Sequence, residues 1–436
     1  MTRTYRTLTL LALVAFAAGA ATARGEGGDR ALTLDECIAH ATASSQALHS
    51  SRNRHDAARA RANSAQANRW PTLGAAAAYD YASEVTSIDI PLGPTPRTIE
   101  FGDGNTYRFS LGVDVPLYTG GALGATARAE RAEAGAAAHD VAADSLGVVR
   151  DVRAAFFRAL GSRSQLDAAR VAVRRLERHL EQIRGRIDIG TASEEERVQA
   201  TARLYGAEQR MLRAELESVT DELALGTAIG RPGDRVAPGG ALDASLLSGA
   251  TPGDGTFESR PELAALGARR DESDLRARAA LGALLPSVVA SAHMSYGRPG
   301  VDPVENEWMS WASARVSLAW TLFDRGARHQ RVEAARATAR AIDATRSDLH
   351  RRLQGAFETA RVRLDFAMRQ SAKASQRVEA ERRRLELVGG RREQGMATET
   401  ELLDAHDDLA DAEASEVAAR AAVRLAESDL LYAAGR

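Results

Sequence analysis

The side chains that most often carry chemistry, histidine and cysteine, are few in this sequence and are not grouped. The nine histidines are scattered and lack the short spacing of a metal site. Cys37 is the single cysteine, so no intrachain disulfide can form, and a small buried residue is expected there. The sequence contains no phosphate-binding glycine loop, no HExxH and no CxxC motif. These observations favour neither an enzyme nor a bound metal or cofactor.

Two matching structural motifs occur at equivalent positions of an internal repeat. Residues 115–231 align without a gap with residues 320–436, at an offset of 205 residues. In each copy a glycine suited to ending a helix is followed by a capping box that starts the next helix. The two sets are Gly190, Ser193 and Glu196, and Gly395, Thr398 and Glu401. Because an internal repeat determines the architecture, the sequence predicts two equal helical hairpins.

Two stretches without proline are predicted to form the long helices of these hairpins. No proline lies between Tyr118 and Arg231 or after Val304, and proline breaks a helix interior at a cost of about 3 kcal/mol. From about Ala122 onward, apolar residues spaced three and four apart predict a packed seam. The seam residues are Leu166, Ala169, Val173, Leu176, Leu180, Ile183 and Ile187. On the returning arm the same spacing predicts that the seam continues through Tyr205, Leu212, Leu216, Val219 and Leu223.

A pair of strands is predicted before each hairpin. Apolar and polar residues alternate from Tyr107 to Leu117 and again from Val316 to Leu322, and the segments after Leu73 and Val288 form the preceding strands. Such alternation is typical of outer-membrane barrel strands, and also of a soluble sheet with one wet face. The chain therefore offers four strands in two matching pairs.

Charge and the N-terminal segment limit the location and the partners. The net charge of −2 argues against nucleic acid as a partner. Residues 1–23 are predicted to be a secretory signal peptide, with Arg3 and Arg6 before an apolar core and a small-x-small site at residues 21–23. No later stretch has about 20 uninterrupted apolar residues, so no transmembrane helix is expected. A location outside the cytoplasm follows.

The predicted domain organisation has two structural repeats after the signal peptide. The first repeat covers residues 24–245 and the second covers residues 246–436, with a Gly- and Pro-rich connector around residues 232–259. Each repeat contains a helix, a strand pair and a long hairpin. The helices are predicted at about 33–68 and 261–284, the strand pairs at about 71–118 and 286–323, and the hairpins at about 122–230 and 327–435.

This order of elements, taken with short motifs, resembles the TolC-type outer-membrane efflux factor family. Single motifs are weak, but their order and duplication cover nearly the whole mature chain. The segments that carry the resemblance are residues 32–36 (LTLDE), Trp70-Pro71, residues 285–287 (LPS), residues 115–121 (VPLYTGG), residues 189–193 (IGTAS) and residues 394–398 (QGMAT).

The resemblance implies a mixed α and β membrane protein that assembles as a homotrimer. Four strands per subunit would contribute to one twelve-stranded β-barrel, and six hairpins would form a periplasmic α-barrel. The physics agrees, because four strands cannot close a barrel and open edges are not tolerated in lipid. The implied function is a passive channel of a tripartite efflux or type I secretion system in the outer membrane. A periplasmic adaptor would dock on the tips, and an inner-membrane RND, ABC or MFS transporter would supply the energy.

A second class of protein stays open from the residues alone. A soluble periplasmic coiled-coil adaptor or structural protein would also contain helical hairpins. Adaptors typically have one hairpin inserted in a small β domain, whereas this chain predicts two hairpins, each preceded by strands. Apolar outward faces on four strands also favour the channel.

The resemblance also implies roles for residues at the second tip. Family members narrow the tunnel entrance with acidic residues six and nine positions after the tip glycine, which here are Glu401 and Asp404. In a trimer these would form two carboxylate rings, whose like charges should raise their pKa values and bind cations. Glu401 could instead be only a capping residue. The family lock positions are Ala397 and Arg392, so the lock is absent or rebuilt, with Arg391 or Arg392 pairing to Glu196.

Overall fold

The structure is a computed structural model that describes residues 31–90, 97–100, 104–247, 256–302 and 306–436. The predicted signal peptide, residues 1–23, lies outside the described residues, as does the part of the connector from 248 to 255. None of the helices within the described ranges combines the length and the apolar character needed to cross a membrane.

The first copy of the repeat begins with helices, continues with strands and ends with a hairpin. Its elements are α1 (Leu34–Ser44), α2 (Gln46–Ala67), β1 (Thr72–Tyr81), β2 (Ser87–Ile90), β3 (Arg97–Glu100), β4 (Asn105–Tyr118), α3 (Ala122–Asp188) and α4 (Glu194–Ala228). The single helix predicted at about 33–68 is wrong, because Ser45 adopts an extended conformation and caps α2 by accepting from the Leu48 backbone N–H at 3.3 Å.

The second copy repeats this order with fewer elements. After a short 3₁₀ turn at Thr256–Ser259 it contains α5 (Pro261–Gly282), β5 (Ser287–Arg298), β6 (Met309–Ala319), α6 (Ala327–Glu393) and α7 (Glu399–Ala433). Both outgoing helices have 67 residues and both returning helices have 35. Each helix of the second hairpin therefore begins and ends 205 residues after its counterpart.

The last strand ends earlier than the sequence predicts. Trp320 and Leu322 continue the alternation but lie beyond β6, so their assignment to a strand is wrong. The partner strand β5 begins at Ser287, which pairs with Ala319, and no strand lies opposite the residues that follow. Trp320 instead donates its indole N–H to the Leu284 carbonyl at 3.1 Å.

Two compact units divide the chain. Within the described residues, the first unit contains residues 31–41, 152–244 and 371–422. The second contains residues 42–90, 97–100, 104–151, 245–247, 256–302, 306–370 and 423–436. Each unit contains segments of both predicted repeats, so the division into repeats 24–245 and 246–436 stays a proposal.

The second unit contains an antiparallel sheet of four long strands in the order β1-β4-β5-β6. Its register places apolar side chains on one face, among them Leu73, Tyr79, Phe109, Met294 and Val316, all of which are exposed. The opposite face is polar and contains Arg108, Asp114, His293 and Arg315. The short strands β2 and β3 form a separate two-stranded sheet that the sequence did not predict.

A helical core in the same unit forms around Phe357 and Leu430, both fully buried. Phe257, from the 3₁₀ turn, packs on Phe357 with ring centroids 5.9 Å apart. Full burial of one such side chain stabilises a fold by roughly 1.5–3 kcal/mol. This core fixes the C-terminal end of α7 against the middle of α6.

The first unit contains the seam of the first hairpin. Leu166, Val173, Leu176, Leu180 and Ile183 are buried, which confirms the predicted seam on α3. On α4 the prediction is wrong, because Tyr205, Leu212 and Leu216 are exposed and Ala200, Leu204 and Ala207 are buried instead. Neighbouring residues of a helix point about 100° apart, so the small alanines pack on α3 and leave the larger residues on an uncovered stripe.

Candidate functional site

Both hairpins turn through the same backbone motif. Gly190 and Gly395 adopt left-handed φ values of 75° and 72°. The amide of the residue after each glycine donates to a carbonyl of the preceding helix, Thr191 to Arg186 at 2.8 Å and Met396 to Arg391 at 2.7 Å. This is the arrangement that closes a helix at a glycine. The two tips are therefore alike in backbone, and differences between them arise from side chains.

The returning helices start at the predicted capping residues. Ser193 Oγ accepts from the Glu196 amide at 3.2 Å, and Thr398 Oγ1 accepts from the Glu401 amide at 3.2 Å. At the second tip the box is reciprocal, since the Thr398 amide donates to Glu401 Oε2 at 2.8 Å. This backbone donor holds the pKa of Glu401 below its ordinary value. The raised pKa that is expected for Glu401 in a ring of carboxylates is therefore not found in the single chain.

At the first tip the carboxylate of the capping-box residue Glu196 contacts the other hairpin. Glu196 Oε1 lies 2.8 Å from Arg392 Nη2, so Arg392 makes the pair that the sequence allowed for either arginine. Arg391 donates instead to the Met396 carbonyl at 2.9 Å, just as Arg186 donates to the Thr191 carbonyl at 3.1 Å. Arg391 therefore stabilises its own turn, and Arg392 connects the two tips.

Arg392 also contacts a carboxylate that sequence reasoning missed. Its Nε donates to Glu399 Oε2 at 3.2 Å, and the other oxygen of Glu399 accepts a short hydrogen bond from His179 Nε2. His179 and Glu399 are both buried. We call the four residues His179, Glu399, Arg392 and Glu196 the tip relay.

The comparison of the two copies contained a signal for this relay. The residues at the equivalent repeat positions are Arg384 for His179, Glu194 for Glu399 and Ile187 for Arg392. Glu194 is exposed and pairs with Arg197 of its own helix, whereas Glu399 is buried. Arg392 is thus a charged residue at a seam position that is apolar in the other copy. Such a residue marks a place where the second hairpin makes ionic contacts in addition to apolar packing.

Burial and charge act in opposite directions on the relay carboxylate. Burial works to raise the pKa of Glu399, but the hydrogen bonds and positive charges of His179 and Arg392 together outweigh it. The pKa of Glu399 therefore lies below its ordinary value, and the group is a carboxylate at neutral pH.

A second histidine lies beside the relay. The rings of His179 and His406 are 5.5 Å apart. Burial, followed by the charges of His179 and Arg175, lowers the pKa of His406 to about 4. His406 is thus neutral at physiological pH and adds no charge to the relay.

Asp404, the second predicted entrance carboxylate, is paired within the chain. Arg203 of α4 contacts Asp404 Oδ1 at 2.7 Å and Asp407 Oδ2 at 2.6 Å, and Arg210 contacts Asp407 at 2.8 Å. Asp404 is about half exposed in this arrangement. The single chain therefore presents Asp404 as a partly neutralised carboxylate near the second tip.

The charged side chains of this region form ion pairs between the two hairpins. The relay and the Arg203 pairs attach α7 and the end of α6 to the first hairpin, with Leu403 packed in the apolar seam between them. Among the described residues, no group of three or more metal-binding side chains is placed to hold an ion. Charges that hold helix ends together can be separated and re-formed, as the parts of a gate must be.

The duplicated strand pairs and equal hairpins are the fold of outer-membrane channel proteins. The solved VceC structure from Vibrio cholerae matches with a TM-score of 0.76 and 19% identity, covering 92% of this chain and 96% of that one. The CmeC channel of Campylobacter jejuni matches with a TM-score of 0.77 and 17% identity, covering 92% and 85%.

The chain belongs to the outer membrane efflux protein family, which matches residues 37–231 and 255–436. It is also 29% identical to the outer membrane protein TolC of Vibrio cholerae serotype O1 over 184 residues. That alignment covers 42% of this chain and 40% of the relative.

The family and the shared fold confirm the resemblance, the predicted fold class and the location in the outer membrane. The family is one of transport proteins, which does not favour the alternative of a soluble adaptor. The roles predicted for Glu401, Asp404, Arg391 and the residues of the two tips stay predictions.

Proposed function

We propose that the protein is a passive outer-membrane channel of a tripartite efflux or secretion system. The observation that carries this proposal is the sheet of four long strands, which has an exposed apolar face and a polar opposite face. Such a sheet suits lipid on one side and an aqueous lumen on the other. Family membership supports the same function.

A homotrimer is the assembly that these surfaces support. β1 and β6 are the edges of the sheet, and neither has a second partner strand among the described residues. Open strand edges are not tolerated in lipid. The stripe of Val198, Tyr205, Leu212 and Leu216 on α4 is likewise uncovered. Three copies would close a twelve-stranded barrel and cover this stripe.

The hairpins would form the periplasmic tunnel, and their tips would meet the adaptor. Ile189 and Met396 expose apolar side chains at the two turns, beside the predicted docking residues Gly190, Ser193, Glu196, Gly395 and Thr398. Exposed apolar groups on a rigid turn suit a protein partner. An inner-membrane RND, ABC or MFS transporter would drive the substrate, and the channel itself would only conduct.

The entrance would lie at the second tip, which contains both predicted ring carboxylates. Glu401 and Asp404 would form the acidic rings, and the Arg392–Glu196 pair at 2.8 Å would hold the entrance closed. Opening would separate this pair and release Asp404 from Arg203. The closed and open states would then differ in both width and charge.

Three measurements on one preparation test the proposal. Membrane fractions should contain the protein in the outer membrane, and unheated gel electrophoresis should show a detergent-stable trimer. The purified trimer should conduct ions in planar lipid bilayers without an energy source. A soluble monomer that inserts into no bilayer would contradict the proposal.

A further inference from the structure

We propose that His179 is a positioning residue of the channel entrance: a clamp that holds Glu399, and through it Arg392, so that the second hairpin stays closed. This inference rests on the proposed channel function, which supplies the entrance that the clamp would control. It concerns a residue on the first hairpin that lies outside the two predicted carboxylate rings.

The tip relay joins all four hairpin helices. His179 lies on α3, Glu196 on α4, Arg392 on α6 and Glu399 at the start of α7. The Arg392–Glu196 distance is 2.8 Å, the Arg392–Glu399 distance is 3.2 Å, and His179 is hydrogen-bonded to Glu399. Movement of the second tip away from the first must break at least one of these contacts.

The side chains of the tip relay are largely buried. The side chains of His179 and Glu399 are only 8% and 3% exposed, and that of Arg392 is 15% exposed. A carboxylate in such a place requires donors, because removing one partner of a buried pair leaves an uncompensated charge. His179 donates to the carboxylate oxygen that Arg392 Nε does not contact, so the two donors cannot replace each other in this geometry.

The first copy of the repeat packs its hairpin without such a relay. Arg384, at the position equivalent to His179, is bonded to Glu381 and Asp408 of its own hairpin. Glu194 and Ile187 stand where the relay has Glu399 and Arg392, and they form no such bridge. Hairpin packing therefore does not require a histidine here, and the relay is an addition specific to one side of the duplication.

The groups around His179 show which contact the clamp depends on. From α7, Glu399 is hydrogen-bonded to His179 and the ring of His406 lies 5.5 Å away, while Arg175 of α3 is paired with Glu413. The His179–Glu399 hydrogen bond joins α3 to α7, so it persists only while the second hairpin is closed. Loss of this hydrogen bond should therefore favour opening.

Single-channel conductance of the trimer tests the clamp. His179→Gln retains a hydrogen-bond donor to Glu399, so the open probability should stay close to that of the wild type. His179→Leu removes the donor, and the open probability should rise about tenfold, the order expected for a lost hydrogen bond to a charged group. Adding Glu399→Gln to His179→Leu should restore closure, because no buried charge is then unpaired.

A matched control and a second observable complete the test. His139→Gln alters an exposed histidine on the same helix and should leave the open probability unchanged. Hydrogen exchange of residues 391–404 in the detergent-solubilised trimer reports tip opening without any conduction, and it should rise in His179→Leu.

The outcomes separate the clamp from the channel function. An open probability in His179→Gln as high as that in His179→Leu, or exchange in His179→Leu equal to that in His139→Gln, would overturn the clamp. A chain that conducts no ions but shows the predicted exchange differences would support the clamp and contradict the channel.

Discussion

The two hairpin tips have the same backbone and different chemistry. Both end an outgoing helix at a left-handed glycine and start the returning helix at a capping box. At the second tip the capping glutamate Glu401 bonds back to its own helix, whereas at the first tip Glu196 is bonded to Arg392 of the other hairpin. Local sequence motifs thus determine the turn, and seam residues determine whether one hairpin is fastened to the other.

The junctions between strand and hairpin differ in a similar way. Gly120 and Arg325 occupy equivalent repeat positions and both have left-handed φ values, 61° and 54°. A β-carbon on Gly120 would lie 2.2 Å from the Gly282 carbonyl oxygen. Arg325 carries a full side chain in the same conformation and is exposed. One backbone shape is therefore maintained by tight packing in one copy and at a conformational cost in the other.

The largest effect is expected from removing the glycine at the packed junction. Gly120→Ala combines a backbone collision with a left-handed conformation, and we expect a loss of more than about 3 kcal/mol. The yield of heat-resistant trimer on unheated gels measures it. Gly121→Ala is the control, because Gly121 is also left-handed but has open space around its missing β-carbon. Equal trimer yields for both variants would show that the collision is relieved.

The next effect tests the fastening between the tips. Arg392→Ile introduces the residue of the first copy, leaves Glu196 with only the more distant Arg186 at 3.9 Å, and leaves Glu399 with His179. Losing one member of a buried pair costs about 3–5 kcal/mol, so we expect a strongly raised open probability in planar bilayers.

Arg383→Ile is the matched control for that substitution. Arg383 is an exposed arginine on the same helix, so its loss should leave the open probability unchanged. Wild-type gating in Arg392→Ile would contradict the assignment of the lock and make the two tips functionally equivalent.

An effect of intermediate size on local stability is expected from the titration of His406. The residue at the equivalent position of the first copy is Thr201. The pKa of His406 is about 4 in the folded chain and near 6.5 when unfolded. The folded state therefore binds fewer protons, and acidification from pH 7 to pH 5 should cost about 2 kcal/mol of local stability. Hydrogen exchange of residues 400–410 should show this loss in the wild type and a much smaller one in His406→Thr. A loss of equal size in both would exclude His406 as its source.

A smaller effect is expected at the predicted acidic ring. Asp404 pairs with Arg203, so Arg203→Gln should free the carboxylate and strengthen cation block, whereas Asp404→Ala should weaken the block and alter single-channel conductance. Partly exposed pairs are worth about 0.2–1 kcal/mol, so changes of about two- to fivefold in blocking concentration are expected. Gln199→Ala, at the equivalent place in the first copy, is the control. Unchanged block in both test variants would reject the entrance assignment.

The sequence was sufficient for features that depend on local rules. Proline-free length, the tip glycines and the capping residues predicted both hairpins, and period-two alternation predicted the four long strands. It failed where packing decides. Tyr205 and Leu212 have the correct spacing for a seam, yet the smaller Ala200 and Ala207 pack there. Glu399 was missed because the pattern of a helix start does not distinguish an exposed acidic residue from a buried one.

A comparably small effect, on stability, is expected if the junction of the second copy is under strain. A left-handed conformation costs a residue with a β-carbon about 1–2 kcal/mol, and glycine avoids this cost. Glycine also raises the conformational entropy of the unfolded chain, which offsets part of the gain in stability. Arg325→Gly should therefore stabilise the chain by only about 0.5–1 kcal/mol, seen as a higher denaturant midpoint. Arg325→Ala removes the charge but keeps the β-carbon, and its midpoint should match the wild type. If both variants gained equally, the guanidinium would be the source of the cost, and the two junctions would differ in charge and not in strain.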